Sequence, residues 1–321
     1  MALDIFKKIE TQKGLFAVEK ISLIYNLLTS ILILFMFPQM SHPLGMLWDR
    51  VIIALMTFCL IYLYRIAPCK FSAFVRIAVQ MGLLSYWYPD TFEFNRLFTN
   101  LDHIFASTEQ FIFGCQPAVE FSQHLPYEWV SEPLNLGYFS YYPMIATVAI
   151  YYFFKRFDLF EKWSFIIVTC FFIYYFIYIF VPVAGPQFYF PAIGADNVAN
   201  GAFPELGNYF NTHHELLPGP DYQHGFFYSL VDASQQVGER PTAAFPSSHV
   251  AISTILMITA FRVSRKLGSF LVPFYLLLCC ATVYIQAHYL IDSIMGFVSS
   301  FFIYMLVSKI YKKWFADPLF R

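Results

Sequence analysis

Eight apolar runs, each close to the length of a bilayer-crossing helix, occupy residues 21–40, 44–64, 71–88, 134–154, 163–184, 247–264, 267–287 and 289–308. A helix needs about 20 mostly apolar residues to cross the hydrocarbon. In lipid the backbone must satisfy its own polar groups, which leaves helices and closed barrels as the spanning structures. Runs this long and this apolar read as helices. Only 13% of the residues are charged, against about 25% in a soluble domain, while 58% are hydrophobic and 21% aromatic. The mean hydropathy is +0.55. The expected fold is an all-α polytopic membrane protein with about eight transmembrane helices.

The same composition argues against several function classes. A net charge of −1 without a basic patch gives no reason to expect a nucleic-acid partner. Cys59, Cys69, Cys115, Cys170, Cys279 and Cys280 show neither paired nor C-x-x-C spacing, so neither a disulfide framework nor a cysteine-rich zinc site is expected. Residues 1–20 hold four lysines and no small-residue cleavage site, so no cleavable signal peptide is expected either.

Basic residues set the orientation. With both termini in the cytoplasm and eight alternating spans, 17 of the 20 Lys and Arg fall at cytoplasmic ends; only Arg50, Arg96 and Arg240 face outward. All eight histidines (42, 103, 124, 213, 214, 224, 249 and 288) then land at the outward side, with 13 carboxylates of the long polar segments 89–133 and 185–246, and with Asp49 and Asp292. Ionisable chemistry is thus expected on the non-cytoplasmic face. Residues 95–123 mix aromatic and polar residues at helical spacing, as one or two helices lying in the interface plane do. Segment 185–246 reads as a cap over the outer ends of the spans. In domain terms, 1–70 holds a cytoplasmic amphipathic N-terminus and two extra spans, 71–311 a six-helix catalytic domain, and 312–321 a cytoplasmic tail. Trp87 and Trp129 are expected at the membrane interface.

Two stretches place polar groups where a membrane makes them costly. Pro246-Ser247-Ser248-His249 opens an apolar run, a helix-start signal. Free N–H groups and the helix dipole in such a first turn favour an anion. His288-Tyr-Leu-Ile-Asp292 spaces a histidine and an acid four apart, so on a helix the carboxylate orients the imidazole and raises its basicity. His249 and His288 are 39 residues apart. At 1.5 Å per residue that is about 58 Å of helix, enough for two crossings of a roughly 30 Å core. Both histidines therefore return to one face, with His288 suited to act as nucleophile and His249 as acid. A structural His–Asp pair and a merely capped span are the plainer readings of the two stretches. His213-His214-Glu215 lacks H-E-x-x-H spacing, and a loop role is expected for it.

These residues resemble the type 2 phosphatidic acid phosphatase superfamily. Pro246-Ser247-Ser248-His249 is similar to its Pro-Ser-Gly-His motif, and His288 with Asp292 matches the His-x-x-x-Asp of its last motif. Ala281-Thr282 stands where that motif has Ser-Arg, and the Lys-x6-Arg-Pro motif is not intact; Pro182 to Gln187 is the nearest equivalent. These departures resemble the inositol phosphorylceramide synthase and sphingomyelin synthase branch. The resemblance spans residues 95–305. It implies a six-helix lipid-phosphatase-type core preceded by two N-terminal spans, and a phosphohistidine at His288 oriented by Asp292. His249 then serves as acid and base, and Ser247 and Ser248 hold the phosphate. Arg240 is the one basic residue expected near the site on the outward side; it is expected to supply part of the phosphate clamp, with an interfacial anchor as its plainer reading, and Gln187 to add a hydrogen bond.

The expected function is metal-independent phosphoryl transfer on a membrane phospholipid at the periplasmic or lumenal side. Water makes it a lipid phosphatase; a hydroxylated lipid or polyol makes it a phosphotransferase. No cofactor or metal is expected, the partners are the bilayer and a lipid substrate, and the sequence does not fix an oligomeric state. Short loops and the lack of an outward cysteine pair favour a bacterial inner membrane over a eukaryotic Golgi membrane. The rival class is a non-enzymatic lipid-binding protein or transporter using the His–Asp pair as a proton relay. The absence of inverted repeats counts against it.

Overall fold

A computed structural model describes residues 2–10, 14–216 and 225–315. His224, part of the cap 185–246 and most of the tail 312–321 lie outside the described residues. Among the described residues the regular structure is helical, apart from an isolated bridge between Lys8 and Cys69. The α-helices in chain order are α1 (Ala17–Phe35), α2 (Pro43–Ile66), α3 (Lys70–Gly82), α4 (Leu84–Asn95), α5 (Asp102–Phe113), α6 (Pro117–His124), α7 (Glu128–Phe139), α8 (Tyr141–Lys155), α9 (Phe157–Phe180), α10 (Pro186–Ile193), α11 (Ala195–Ala199), α12 (Phe226–Gly238), α13 (Ser248–Val263), α14 (Arg265–Tyr284) and α15 (Leu290–Trp314).

This is an all-α integral membrane protein. Helices α1, α2, α9, α14 and α15 are each long and apolar enough to cross a bilayer. The other three expected runs are also helical, but differently built. Residues 247–264 form the 16-residue α13. Residues 71–88 divide into α3 and α4 at Leu83, between Gly82 and Pro89. Residues 134–154 divide into α7 and α8 at Ser140. Pro143 accounts for that last break, because it has no N–H to donate and its ring crowds the carbonyl four residues earlier.

Two compact units make up the chain. The first comprises residues 1–87, 151–172 and 305–321. At its centre Arg76 meets Glu19 through Nε at 2.7 Å and Nη2 at 2.5 Å, with both side chains buried. The rings of Phe16 and Tyr64 flank the guanidinium at 3.9 and 4.7 Å. Removing one partner of so buried a pair strands the other charge and costs about 3–5 kcal/mol. Trp87 is fully buried against Tyr25 and the Arg50 guanidinium, so its indole is covered by protein. Its π-face stabilises the guanidinium in a dry setting. Trp129 is exposed.

The second unit comprises residues 88–150 and 173–304 and carries the site. Here α14 packs against both α7 and α13, and α7 also packs against α12. The expected helical segment 95–123 contains α5 and α6, and α5 has its polarity inside out. Asp102, Ala106 and Glu109 form its buried stripe, while Ile104, Phe111 and Ile112 are exposed. That pattern suits a helix whose outer surroundings are lipid and whose inner face meets polar groups.

Candidate active site

Three stretches of the second unit assemble the site. The first is the start of α13. The Ser247 hydroxyl accepts the Val250 N–H at 3.4 Å, and the Ser247 N–H donates to the Asp292 carbonyl at 3.0 Å. Ser247 is fully buried and serves as the helix cap, not as a cavity group. The Tyr178 hydroxyl on α9 donates to the Pro246 carbonyl at 2.9 Å and accepts the Ser248 N–H at 3.0 Å. Two first-turn N–H groups that the sequence offered to an anion are therefore already engaged. What α13 presents to the cavity is the Ser248 side chain and the His249 ring.

The second stretch is the short loop between α14 and α15. The His288 N–H donates to the Thr282 carbonyl at 3.0 Å. Its Nδ1 lies 2.8 Å from the Ala244 carbonyl. A carbonyl only accepts, so Nδ1 carries the proton and Nε2 presents a lone pair. Nε2 lies 3.4 Å from His249 Nδ1. The two rings, 39 residues apart in sequence, sit with centroids 5.6 Å apart, and Tyr138 and Tyr141 flank His249 at 4.8 and 4.5 Å.

Asp292 is placed otherwise than the four-residue spacing implied. Its Oδ2 is 3.8 Å from His288 Nδ1, ion-pair range but too long for a hydrogen bond, and accepts the Tyr289 N–H at 2.9 Å. The reason is the helix boundary. Because α15 begins at Leu290, His288 precedes the helix and does not share a helical face with Asp292. The Ala244 carbonyl orients the ring, and the Asp292 carboxyl lies behind it.

The third stretch leads into α10. Gly185 takes φ 93° and ψ 165°, a conformation essentially reserved for glycine, and Pro186 fills the first helical position. Gln187 follows, its Oε1 accepting from Gln235 Nε2 at 3.0 Å and its Nε2 directed at Glu239 Oε2 at 3.5 Å. Asp102 braces this turn from α5. It accepts the N–H groups of Ala184 at 2.6 Å and Gly185 at 2.8 Å, Asn100 Nδ2 at 2.6 Å and the Tyr289 hydroxyl at 3.0 Å.

A narrow cavity joins these parts, lined by Tyr138, Gln187, Glu239, Thr242, Ser248, His249 and His288 among others. Its interior has room for roughly one water molecule. Arg240 is not in this lining; its Nη1 donates to the Glu239 carbonyl at 2.9 Å. Side chains alternate along extended chain, and Glu239, extended after α12, turns inward where Arg240 turns away. The expected basic clamp is thus replaced at the cavity wall by an acid. Burial raises the Glu239 pKa, with His288 and the Tyr138 hydroxyl opposing. Burial pulls His288 down to about 4, with Glu239 opposing, so the imidazole is neutral at pH 7.

Glu239, Asp102 and Glu109 are the residues sequence reasoning missed. The signal for the α5 acids was their seven-residue spacing on one face of an apolar run. For Glu239 it was the alternation beside Arg240. His213 stacks on Tyr209 and His214 meets the Phe210 carbonyl, both within the loop. Among the described residues no three His, Cys, Asp or Glu side chains gather as a metal ion requires.

No curated protein and no solved structure matches the chain. A family model described as PAP2 superfamily matches residues 102–306, more than half of the chain, from the start of α5 through the site residues on α13 and α15. By that match the chain belongs to the PAP2 superfamily.

Proposed function

We propose that this protein catalyses metal-independent phosphoryl transfer on a membrane lipid through a phosphohistidine at His288. One observation carries the reading. The Ala244 carbonyl holds His288 Nδ1–H, leaving a neutral Nε2 lone pair aimed into a cavity that also holds His249 and Ser248. In the first step Nε2 attacks phosphorus, the bond to the leaving oxygen breaks, and His249, which takes up a proton once the negative charge of the substrate phosphate lies beside it, gives that oxygen the proton. In the second, now-neutral His249 takes the proton of an acceptor hydroxyl, whose oxygen attacks phosphorus as the N–P bond breaks. The phosphorylated ring carries positive charge, which Asp292 at 3.8 Å offsets. Ser248 and Gln187 are the side chains placed to contact phosphate oxygens. Ser247 acts through the helix start, and Arg240 borders the cavity through the Glu239 backbone. At 3.4 Å the two histidine rings leave no space for a phosphoryl group between them, so substrate entry separates them.

The cavity wall also bears on the acceptor. With Glu239 present and no Lys or Arg in the lining, a phosphodiester with one negative charge meets less repulsion than a monoester carrying about −1.5 to −2. That favours transfer between a diester lipid and a hydroxylated acceptor, as the resemblance to inositol phosphorylceramide and sphingomyelin synthases implies, over simple hydrolysis. The domain assignment follows the same reading: 71–311 as catalytic domain, with outward segments 89–133 and 185–246. So does the location, with the site on the periplasmic side of a bacterial inner membrane, in preference to the lumenal side of a Golgi membrane, and both termini cytoplasmic.

The test is a panel of lipid phosphates and labelled diester lipids, the latter with inositol, ceramide or diacylglycerol, given to detergent-solubilised protein with EDTA present. EDTA-resistant turnover that His288→Ala abolishes supports the reading. Absence of both release and transfer, with lipid binding unchanged in the variant, favours the lipid-binding or transport alternative.

A further inference from the structure

The scheme above leaves a pair of buried acids without a role. Glu109 on α5 and Asp292 on α15 are both fully buried. Glu109 Oε1 accepts the Ile291 N–H at 3.2 Å, and Asp292 Oδ2 accepts the Tyr289 N–H at 2.9 Å. Both carboxyls therefore sit at the first turn of α15, immediately after His288. Each also has an oxygen left over, since neither Glu109 Oε2 nor Asp292 Oδ1 has a hydrogen-bond partner. Among the described residues neither acid is paired with a Lys or Arg. Two carboxylates held together in a dry site without a cation cannot both ionise.

We propose that Glu109 is a positioning residue that retains a proton throughout turnover, so that Asp292 supplies a single negative charge behind His288 while the Glu109 oxygen holds the start of α15 in register. The proposal rests on the reading of His288 as nucleophile. Burial opposes ionisation of either acid, and the charge that forms on His288 decides which of them gives up its proton. Asp292 lies 3.8 Å from the imidazole that becomes cationic on phosphorylation, whereas Glu109 faces only backbone N–H groups and Asp292 itself. Burial and the neighbouring Asp292 together lift Glu109 to about 8, which leaves it protonated at neutral pH. The other titratable groups that interact with the pair are His288 beside Asp292, Asp102 on the same face of α5, Tyr178 on α9, Tyr289 and Cys115. None of them is a resident cation at pH 7.

The consequence is an alkaline limit to activity. As pH rises through about 8, Glu109 loses its proton and a second negative charge appears behind the nucleophile. The wild type should lose about tenfold in kcat at one pH unit above that point. Glu109→Gln keeps an amide oxygen for the Ile291 N–H but cannot ionise. Its kcat profile should lack the loss centred near pH 8, leaving only the limb set by deprotonation of His249. A second readout does not depend on turnover. Infrared difference spectra of wild type minus Glu109→Gln should contain a protonated-carboxyl C=O band that titrates away near pH 8. In Asp292→Asn, where the neighbouring charge is gone, the same band should titrate away at lower pH. An alkaline limb unchanged in Glu109→Gln, or no protonated carboxyl at 109 at pH 7, overturns the proposal. The two failures are separable: turnover that survives His288→Ala refutes the nucleophile reading, whereas the infrared titration tests Glu109 by itself, even if Glu109→Gln folds poorly and only Asp292→Asn is measured against wild type.

Discussion

Replacing Gly185 by alanine is expected to damage stability and turnover together. Gly185 stands between the two segments that hold His288. A Cβ there would lie 2.8 Å from the Ala287 carbonyl oxygen and 3.2 Å from the Ala244 Cβ. An ordinary carbon–oxygen contact is about 3.3 Å or longer, so the Ala287 carbonyl must retreat by about 0.5 Å. Overpacking of that kind costs about 1–3 kcal/mol. The backbone at φ 93°, ψ 165° adds about 1–3 kcal/mol for any residue with a side chain. Together these come to about 2–6 kcal/mol, a large share of the roughly 5–15 kcal/mol that holds a typical domain folded. Relief comes only by moving Ala287 or Ala244, hence the His288 ring, and a displacement of that size should lower kcat by at least about tenfold. Gly194 is the control. It has φ 82° and ψ 152°, but nothing lies within 4 Å of its Cβ position. Gly194→Ala should therefore lose stability from backbone strain alone and keep its turnover per folded molecule. Thermal unfolding and phosphoryl-transfer rates of the two variants, compared with wild type, make the measurement. Equal turnover in Gly185→Ala and Gly194→Ala would refute the placement of Gly185 against the His288 supports.

Three further expectations concern single groups. Tyr178→Phe leaves the Pro246 carbonyl and the Ser248 N–H without their shared hydroxyl, and should lower unfolding stability by about 1–3 kcal/mol. Because burial pulls His288 to about 4, the acid limb of kcat/KM should fall near pH 4, not near 6.5; the unfolded chain protonates this histidine first, so the stability it contributes is lost as pH drops from about 6.5 towards 4. Glu239→Gln removes the acid at the cavity wall and should raise turnover of phosphomonoesters relative to phosphodiesters, read as the ratio of their kcat/KM values; an unchanged ratio would remove Glu239 from substrate selection.

Much of this architecture was legible in the residues. The apolar runs marked helices throughout, because lipid imposes a length and a composition that few other settings impose. The convergence of His249 and His288 followed from 39 residues being two membrane crossings. What the spacing could not reveal was the partner of His288. The four-residue interval to Asp292 implies a shared helical face only if the helix includes both ends, and α15 begins two residues too late. A backbone carbonyl, which carries no sequence signal, holds the ring instead. Arg240 was read as the clamp because it is the nearest positive charge in sequence, yet alternation along the chain turns Glu239 inward. Asp102 and Glu109 escaped notice because α5 was read as resting on a membrane surface. Its polar face instead turns into the protein and braces Gly185, Tyr289 and the start of α15.

The central claim is a covalent phosphohistidine at His288, and trapping it is the most direct test. Protein mixed with a lipid labelled at its phosphate, quenched within a turnover and digested under alkaline conditions, should yield one labelled peptide. That peptide should contain His288, its label should be stable to base and lost in acid, and it should be absent from His288→Ala. Continuing turnover without a labelled peptide, or a label that persists in His288→Ala, would contradict the account.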